Sequence, residues 1–204
     1  EENMHAIVDI ARKNNCWILS DEVYRGAELN GIESPSFYGF YEKTIVNAGL
    51  SKAYRLPGLR IGWTVGPKNY IKKAWSFHDY TSISIAYHSD WIASRILEEK
   101  RRKKILNGTK AHLNKNLNIL IKWIDTCNGI FSLSPPQAGA IAFVGINNGA
   151  DSQELTYHLR DNCSVLLTAG KWFGLEGFIR FGYGTPDDYL VSALGRIKEL
   201  LITN

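Results

Sequence analysis

Two short apolar runs, Thr44-Ile45-Val46-Asn47-Ala48 and the run from Arg60 to Val65, stand close together in the chain, and Gly49, Pro57 and Gly58 fill the gap. A parallel crossover needs roughly a dozen or more residues and usually contains a helix. This gap is too short and irregular for one, so the two runs are expected to pair antiparallel. An earlier run, Cys16-Trp17-Ile18-Leu19-Ser20, precedes Thr44 by more than twenty residues, which leaves room for a crossover and parallel pairing. The end of the second strand and the start of the third then fall on one edge of the sheet. Ligands of α/β sheets sit at the carboxyl ends of parallel strands. The residues expected to meet at that edge are Asp21, Lys52 and Arg60.

Around this sheet the pattern is helical. Ile7, Val8, Ile10 and Ala11 keep a helical period over residues 2–14, with Arg12 and Lys13 in the last turn, where cations suit the helix dipole. Glu28 to Tyr41 reads as a loop carrying Asn30-Gly31 and Pro35. After Gly66-Pro67, Tyr70, Ile71, Ala74 and Trp75 form one amphipathic face, and Trp91, Ile92, Ile96 and Leu97 another. Leu113, Leu117, Leu120, Ile121 and Ile124 form a third, on one long helix over 101–126 that stops at Cys127-Asn128-Gly129. The expected division is 1–100, the linking helix 101–126, and a small α+β domain over 127–204. That last part reads as strand 139–146, helix 151–161, strand 163–168, strand 177–183 and helix 186–202. Asp151 and Thr185-Pro186 are the helix starts.

Composition narrows the function classes. A chain of 204 residues suffices for one large domain or two small ones, and a formal charge of +4 gives little pull on a polyanion. The run Lys100-Arg101-Arg102-Lys103-Lys104 reads as a solvated helix face rather than a nucleic-acid surface. No nucleic-acid partner is expected, and no apolar stretch approaches the roughly 18 residues of a membrane helix. Cys16, Cys127 and Cys163 form no CxxC and join no histidine at zinc spacing, which suggests reduced thiols in a cytoplasmic protein. His78 and His88 have no third ligand nearby, so no metal is expected. The six tryptophans and ten tyrosines are read as mostly core.

The chemistry concentrates in Gly49-Leu50-Ser51-Lys52-Ala53-Tyr54-Arg55-Leu56-Pro57-Gly58-Leu59-Arg60-Ile61-Gly62-Trp63, with Ser20-Asp21-Glu22-Val23-Tyr24 before it and Phe178-Ile179-Arg180-Phe181-Gly182 far after it. These segments resemble the class I/II aminotransferases, pyridoxal-phosphate enzymes of fold type I. The implied fold is α/β: part of the large domain, a mostly parallel sheet with one antiparallel strand, followed by the small α+β domain. The resemblance makes Lys52 the catalytic lysine that holds pyridoxal 5′-phosphate as a Schiff base and shuttles the proton. Asp21 would keep the pyridine nitrogen protonated, and Tyr24 would donate to the ring's phenolic oxygen. Ser51 and Arg60 would bind the phosphate, an arginine fork suiting its geometry. Arg180 would clamp the substrate α-carboxylate. Arg55 departs from the family pattern, which more often has a small residue there.

The resemblance covers residues 1–204 and only the later half of such an enzyme. The glycine-rich phosphate loop, the ring-stacking aromatic and several sheet strands belong to the earlier half, which has no counterpart in this sequence. The chain is therefore expected to be a fragment, without turnover and weak in cofactor binding by itself. The complete protein is expected to be a homodimer exchanging an amino group between an L-amino acid and a 2-oxo acid. The absence of arginine from Ser76 to Ser84 speaks against the dicarboxylate-specific subgroup. A carbon–sulfur lyase or cyclising synthase on the same fold stays open, as does a non-catalytic regulatory or interaction domain.

Overall fold

The computed structural model describes residues 2–202. The chain forms two compact units, one running up to Lys110 and the other starting at Ala111.

The first unit begins with α1 (Glu2–Lys13), whose Met4, Val8 and Ala11 are buried. Val8 and Ala11 pack with Ile18 and Tyr41, and Phe37 and Phe40 close the cluster. Three strands follow, β1 (Ile18–Asp21), β2 (Thr44–Gly49) and β3 (Gly62–Val65), in the order β1-β2-β3. The first pair is parallel, with Asp21 opposite Asn47. The second is antiparallel, with Gly49 opposite Gly62. Both directions are those the connection lengths dictate. Thr44, Ile45 and Val46 are buried along β2, as suits a central strand.

Next come α2 (Lys68–Thr81) and α3 (Tyr87–Ile96). Their apolar faces follow the helical period, yet α2 has no buried residue and α3 buries only Ala93. Trp75, Tyr80, Tyr87 and Trp91 are all more than half exposed. The expectation of a mostly buried aromatic set is corrected accordingly, and Trp17 and Trp172 are also half exposed. Periodicity reports that a face is apolar and does not report what covers it.

The helix α4 (Glu99–Asp125) gives its first part to this unit and the remainder to the second. It stops where Asn128 and Gly129 take positive φ, 49° and 77°. The second unit then adds β4 (Phe131–Leu133), β5 (Ile141–Ile146), α5 (Ser152–Cys163), β6 (Thr168–Ala169), β7 (Phe178–Gly182) and α6 (Asp187–Ile202). Its sheet is antiparallel throughout, in the order β4-β5-β7-β6. Asp151 caps α5 by accepting from the amides of Gln153 and Glu154. The expected strand over 163–168 is replaced by a helix end. Cys163 closes α5, Ser164 turns left-handed at φ 54°, and its amide returns to the Leu159 carbonyl. Only Thr168–Ala169 reach the sheet.

The core of this unit joins Leu120, Val144, Leu159, Ile179, Tyr183 and Ile197, none more than about 1% exposed. Trp123 stacks on Phe131 with ring centres 5.4 Å apart. Polar ties pin the end of β7 to α4. The Asn116 side-chain amide donates to the carbonyls of Tyr183 and Thr185, each at 2.7 Å. The Tyr183 hydroxyl donates to the Gly139 carbonyl at 2.6 Å.

Burial pushes the Tyr183 phenol up to about 12. A raised folded pKa means that its stabilising contribution is complete below the ordinary value of 10.0 and is lost as pH climbs through about 12. Tyr183→Phe leaves the Gly139 carbonyl buried without a donor, so urea unfolding should show a loss of roughly 1–3 kcal/mol. The same substitution should remove the phenol that titrates only upon alkaline unfolding, as read by ultraviolet titration.

Candidate active site

The site grows from the edge where β1 and β2 end. After Asp21 the chain keeps to that edge for one more residue, because the Glu22 amide donates to the Asn47 carbonyl at 2.7 Å. Asp21 is exposed there, and one of its carboxylate oxygens accepts from the Val23 amide at 3.2 Å. The turn that follows carries Tyr24 and is closed by the Ala27 amide donating to the Tyr24 carbonyl at 2.9 Å. Buried Ala27, only 2% exposed, holds that turn down. Glu22 fastens the loop behind it. Its Oε1 accepts from the Ser20 hydroxyl at 3.1 Å, the Ser36 hydroxyl at 2.8 Å and the Phe37 amide at 3.0 Å.

On the neighbouring strand, Gly49 and Gly62 face each other where β2 and β3 meet. A Cβ on either would lie 2.9 Å from a carbonyl of the other strand. This close approach allows the chain to turn directly into the lysine segment. Leu50 and Ala53 are fully buried there and Tyr54 is 6% exposed, while Ser51 is half-buried and Lys52 exposed. Apolar anchors on both sides thus drive the lysine outward. The Arg55 amide donates to the Lys52 carbonyl and the Leu56 amide to the Leu50 carbonyl, both at 3.0 Å. Arg55 adopts φ 59°, which accommodates the tight turn despite its side chain.

Lys52 Nζ lies 5.8 Å from the centre of the Tyr24 ring, a cation facing an aromatic. Arg60 is not the first residue of a strand, as its sequence position suggested. It caps the short 3₁₀ turn Pro57–Leu59 in left-handed conformation, φ 53°, and its Nη1 donates to the Pro57 carbonyl at 2.9 Å. β3 starts two residues later, because a left-handed residue cannot continue an extended strand. Among the described residues no carboxylate forms an ion pair with Lys52 or Arg60. A hydroxyl and an amine on one turn and an uncompensated guanidinium at the end of the next are the donor types suited to an aldehyde carrying a phosphate.

Asp21, Tyr24, Ser51, Lys52 and Arg60 all belong to the first unit. Arg180 belongs to the second, on β7, between Phe143 of β5 and Thr168 of β6. Ile179 and Phe181 are buried and Arg180 is half-buried, so strand alternation puts the guanidinium on the opposite face. Its Cζ lies 6.0 Å from the Phe173 ring centre, and Phe173 meets Phe143 edge-to-face at 5.7 Å. A Cβ at Gly170 would run into the carbonyl oxygens of Leu175 and Phe178, so the turn leading to Phe173 needs that glycine.

Sequence reasoning missed one polar network. Arg102 sits in the basic run read as solvated, yet it is half-buried. Its Nη2 donates to both carboxylate oxygens of Glu33, at 2.6 and 2.7 Å, and its Nε to the Tyr54 hydroxyl at 2.9 Å. Glu33 also meets Arg25 Nη2 at 3.1 Å. Hydrogen bonding to Glu33 raises the Arg102 pKa further, against the opposing effect of burial. The pairs span 69 and 48 positions, and no local pattern could have announced them.

The family model described as aminotransferase class I and II matches residues 1–197. An aspartate aminotransferase of Pyrococcus horikoshii is 27% identical over 98% of this chain and 52% of its own length. An aromatic-amino-acid aminotransferase 2 of Thermococcus litoralis is 25% identical over 98% of this chain and 53% of its own length. The crystal structure of a PLP-dependent aminotransferase from Streptococcus suis superimposes with a TM-score of 0.88 at 30% identity, covering 97% of this chain and 52% of that one. The chain thus spans about half the length of the curated relatives it matches.

The geometry around Glu22 makes one direct prediction. Glu22→Ala strands two hydroxyls and an amide in a half-buried site and should lower the unfolding free energy by roughly 1–3 kcal/mol in urea titration. Glu22→Gln retains the accepting Oε1 and should lose less than half as much.

Proposed function

The chain belongs to the class I and II aminotransferases, and we propose that it carries the lysine-bearing part of an enzyme that moves an amino group between an L-amino acid and a 2-oxo acid. Pyridoxal 5′-phosphate is the cofactor this family implies, and when bound it supplies the electron sink for that exchange. The observation that carries the proposal is Lys52, an exposed amine held over Tyr24 by a buried-anchored turn, with the uncompensated Arg60 at the end of the 3₁₀ turn that follows.

In this reading Lys52 holds the cofactor covalently and afterwards carries the proton. Asp21 sets the charge of the ring nitrogen, and the Tyr24 hydroxyl donates to the ring oxygen. Ser51 and Arg60 take the phosphate, and Arg180 orients the substrate through its α-carboxylate. That carboxylate is common to all amino acids. No arginine stands in residues 76–84, which speaks only against the best-known aspartate-specific subgroup and selects no donor.

The unit boundary near Lys110 and the continuous α4 support the division into a cofactor-binding part, 1–100, a linking helix, 101–126, and a small domain, 127–204. The exposed aromatics of α2 and α3, Trp75, Tyr80, Tyr87 and Trp91, support assembly as a homodimer, since large apolar side chains left uncovered suit an interaction surface. Three unpaired cysteines, Cys16 among them exposed, support a reducing, cytoplasmic setting. No helix among the described residues is long and apolar enough to cross a membrane.

Trapping with pyridoxal phosphate and borohydride, followed by peptide mapping, should put the label on Lys52. A label concentrated on any other lysine overturns the assignment. Arg60→Ala should raise the cofactor concentration needed for half-labelling about tenfold, as expected for removing a charged hydrogen bond. With an amino donor, accumulation of pyridoxamine phosphate identifies transfer, whereas release of ammonia would identify a lyase.

A further inference from the structure

The network missed by sequence reasoning closes on itself. Tyr24, under the Lys52 ammonium, is followed by Arg25, whose Nη2 meets Glu33 at 3.1 Å and whose Nε donates to the Ser34 carbonyl at 2.7 Å. Glu33 takes Arg102 Nη2 on both oxygens, and Arg102 Nε reaches the Tyr54 hydroxyl. Tyr54 lies two residues beyond Lys52, in the turn that the Arg55 and Leu56 amides close. The circuit therefore joins the loop that carries Tyr24 to the turn that carries Lys52, and Arg102, from the first turn of α4, is its only member outside those two segments.

From this geometry we propose that Arg102 is a positioning residue, which fixes the Lys52 amine over the Tyr24 ring by locking both segments to α4. The proposal rests on the reading of Lys52 given above. Three features carry it. Tyr54 is 6% exposed and lies in the same turn as Leu50 and Ala53, the buried neighbours of Lys52, so its ring is held in the interior beside the lysine segment. Arg102 uses two different nitrogens for its two partners, so a rigid planar group sets the distance between them. The cluster borders a cavity of about 560 Å³ that also meets Trp63 and Val65 of β3, and side chains 28–39% exposed keep partial hydration. Ion pairs so placed contribute little to stability, and their value lies in geometry.

The test compares the chain with Arg102→Met, Arg102→Lys and Tyr54→Phe. Two quantities are read, the rate of borohydride-trapped pyridoxal phosphate at Lys52 relative to the other lysines, and amide hydrogen exchange over residues 52–56. Arg102→Met should slow Lys52 labelling about tenfold, the scale expected when a reacting group is displaced by a fraction of an ångström. Labelling of the remaining lysines and exchange in α6 should stay unchanged, which a general loss of folding would not allow.

Tyr54→Phe, which removes one hydroxyl and keeps the Arg102–Glu33 pair, should reproduce most of the effect. Arg102→Lys keeps the charge but has no Nε for Tyr54, and should fail to restore labelling. Full restoration by lysine, or unchanged labelling in both Arg102→Met and Tyr54→Phe, overturns the proposal. If the label on the unmodified chain falls on other lysines, the reading of Lys52 fails. Exchange over 52–56 then decides the positioning claim by itself: acceleration in both variants supports it and unchanged rates overturn it.

Discussion

Everything at the candidate site depends on how the chain leaves β2. Gly49 and Gly62 approach so closely that neither tolerates a side chain, and the next residue, Leu50, is already fully buried. Ala53 and Tyr54 are buried immediately afterwards, so Lys52 is held from both sides by side chains facing the interior. An amine placed this way costs little conformational freedom at the moment of reaction, because packing has already fixed its backbone. A loop of polar residues in the same position would leave the amine unplaced.

The same constraint explains which parts of the sequence could be read. Apolar runs with connections of known length fixed the parallel β1–β2 pair and the antiparallel β2–β3 pair, since chain length alone restricts the options. Lys52, Asp21 and Arg60 are proposed from short segments, each with its own local pattern. The reading failed where partners are remote or covering elements are unspecified. Arg102 looks like one charge among five, and only the fold shows Glu33 and Tyr54 beside it. The faces of α2 and α3 are visible as stripes, yet nothing in the stripe says that Trp75 or Tyr80 is left uncovered. At residues 163–168, β-branched character competed with a helix end, and of these six only Thr168 joins the sheet. The three-residue β4 is too short to show any period.

The second unit uses a different device to present Arg180. Here the strand itself is central, paired on both sides with β5 and β6, so its register leaves the guanidinium no choice of face. Asn116 and Tyr183 then fix the strand's end by bonds to backbone carbonyls, in a core with almost no solvent. One proposed site cation is thus held by a buried turn and the other by sheet register. The turn can yield locally when a side-chain tie is lost, whereas the register changes only if the sheet does.

Charge pairing separates structural cations from those available to a ligand. Arg102 and Arg25 share Glu33, Lys115 pairs with Asp187, and Lys171 with the capping Asp151, so each supports a particular joint of the fold. Lys52 and Arg60 have no such carboxylate among the described residues, although acidic side chains occur in the same unit. An anion bound at either cation would supply the counter-charge that no side chain provides. Glu22, the acid that follows Asp21 in the chain, is committed to Ser20, Ser36 and Phe37.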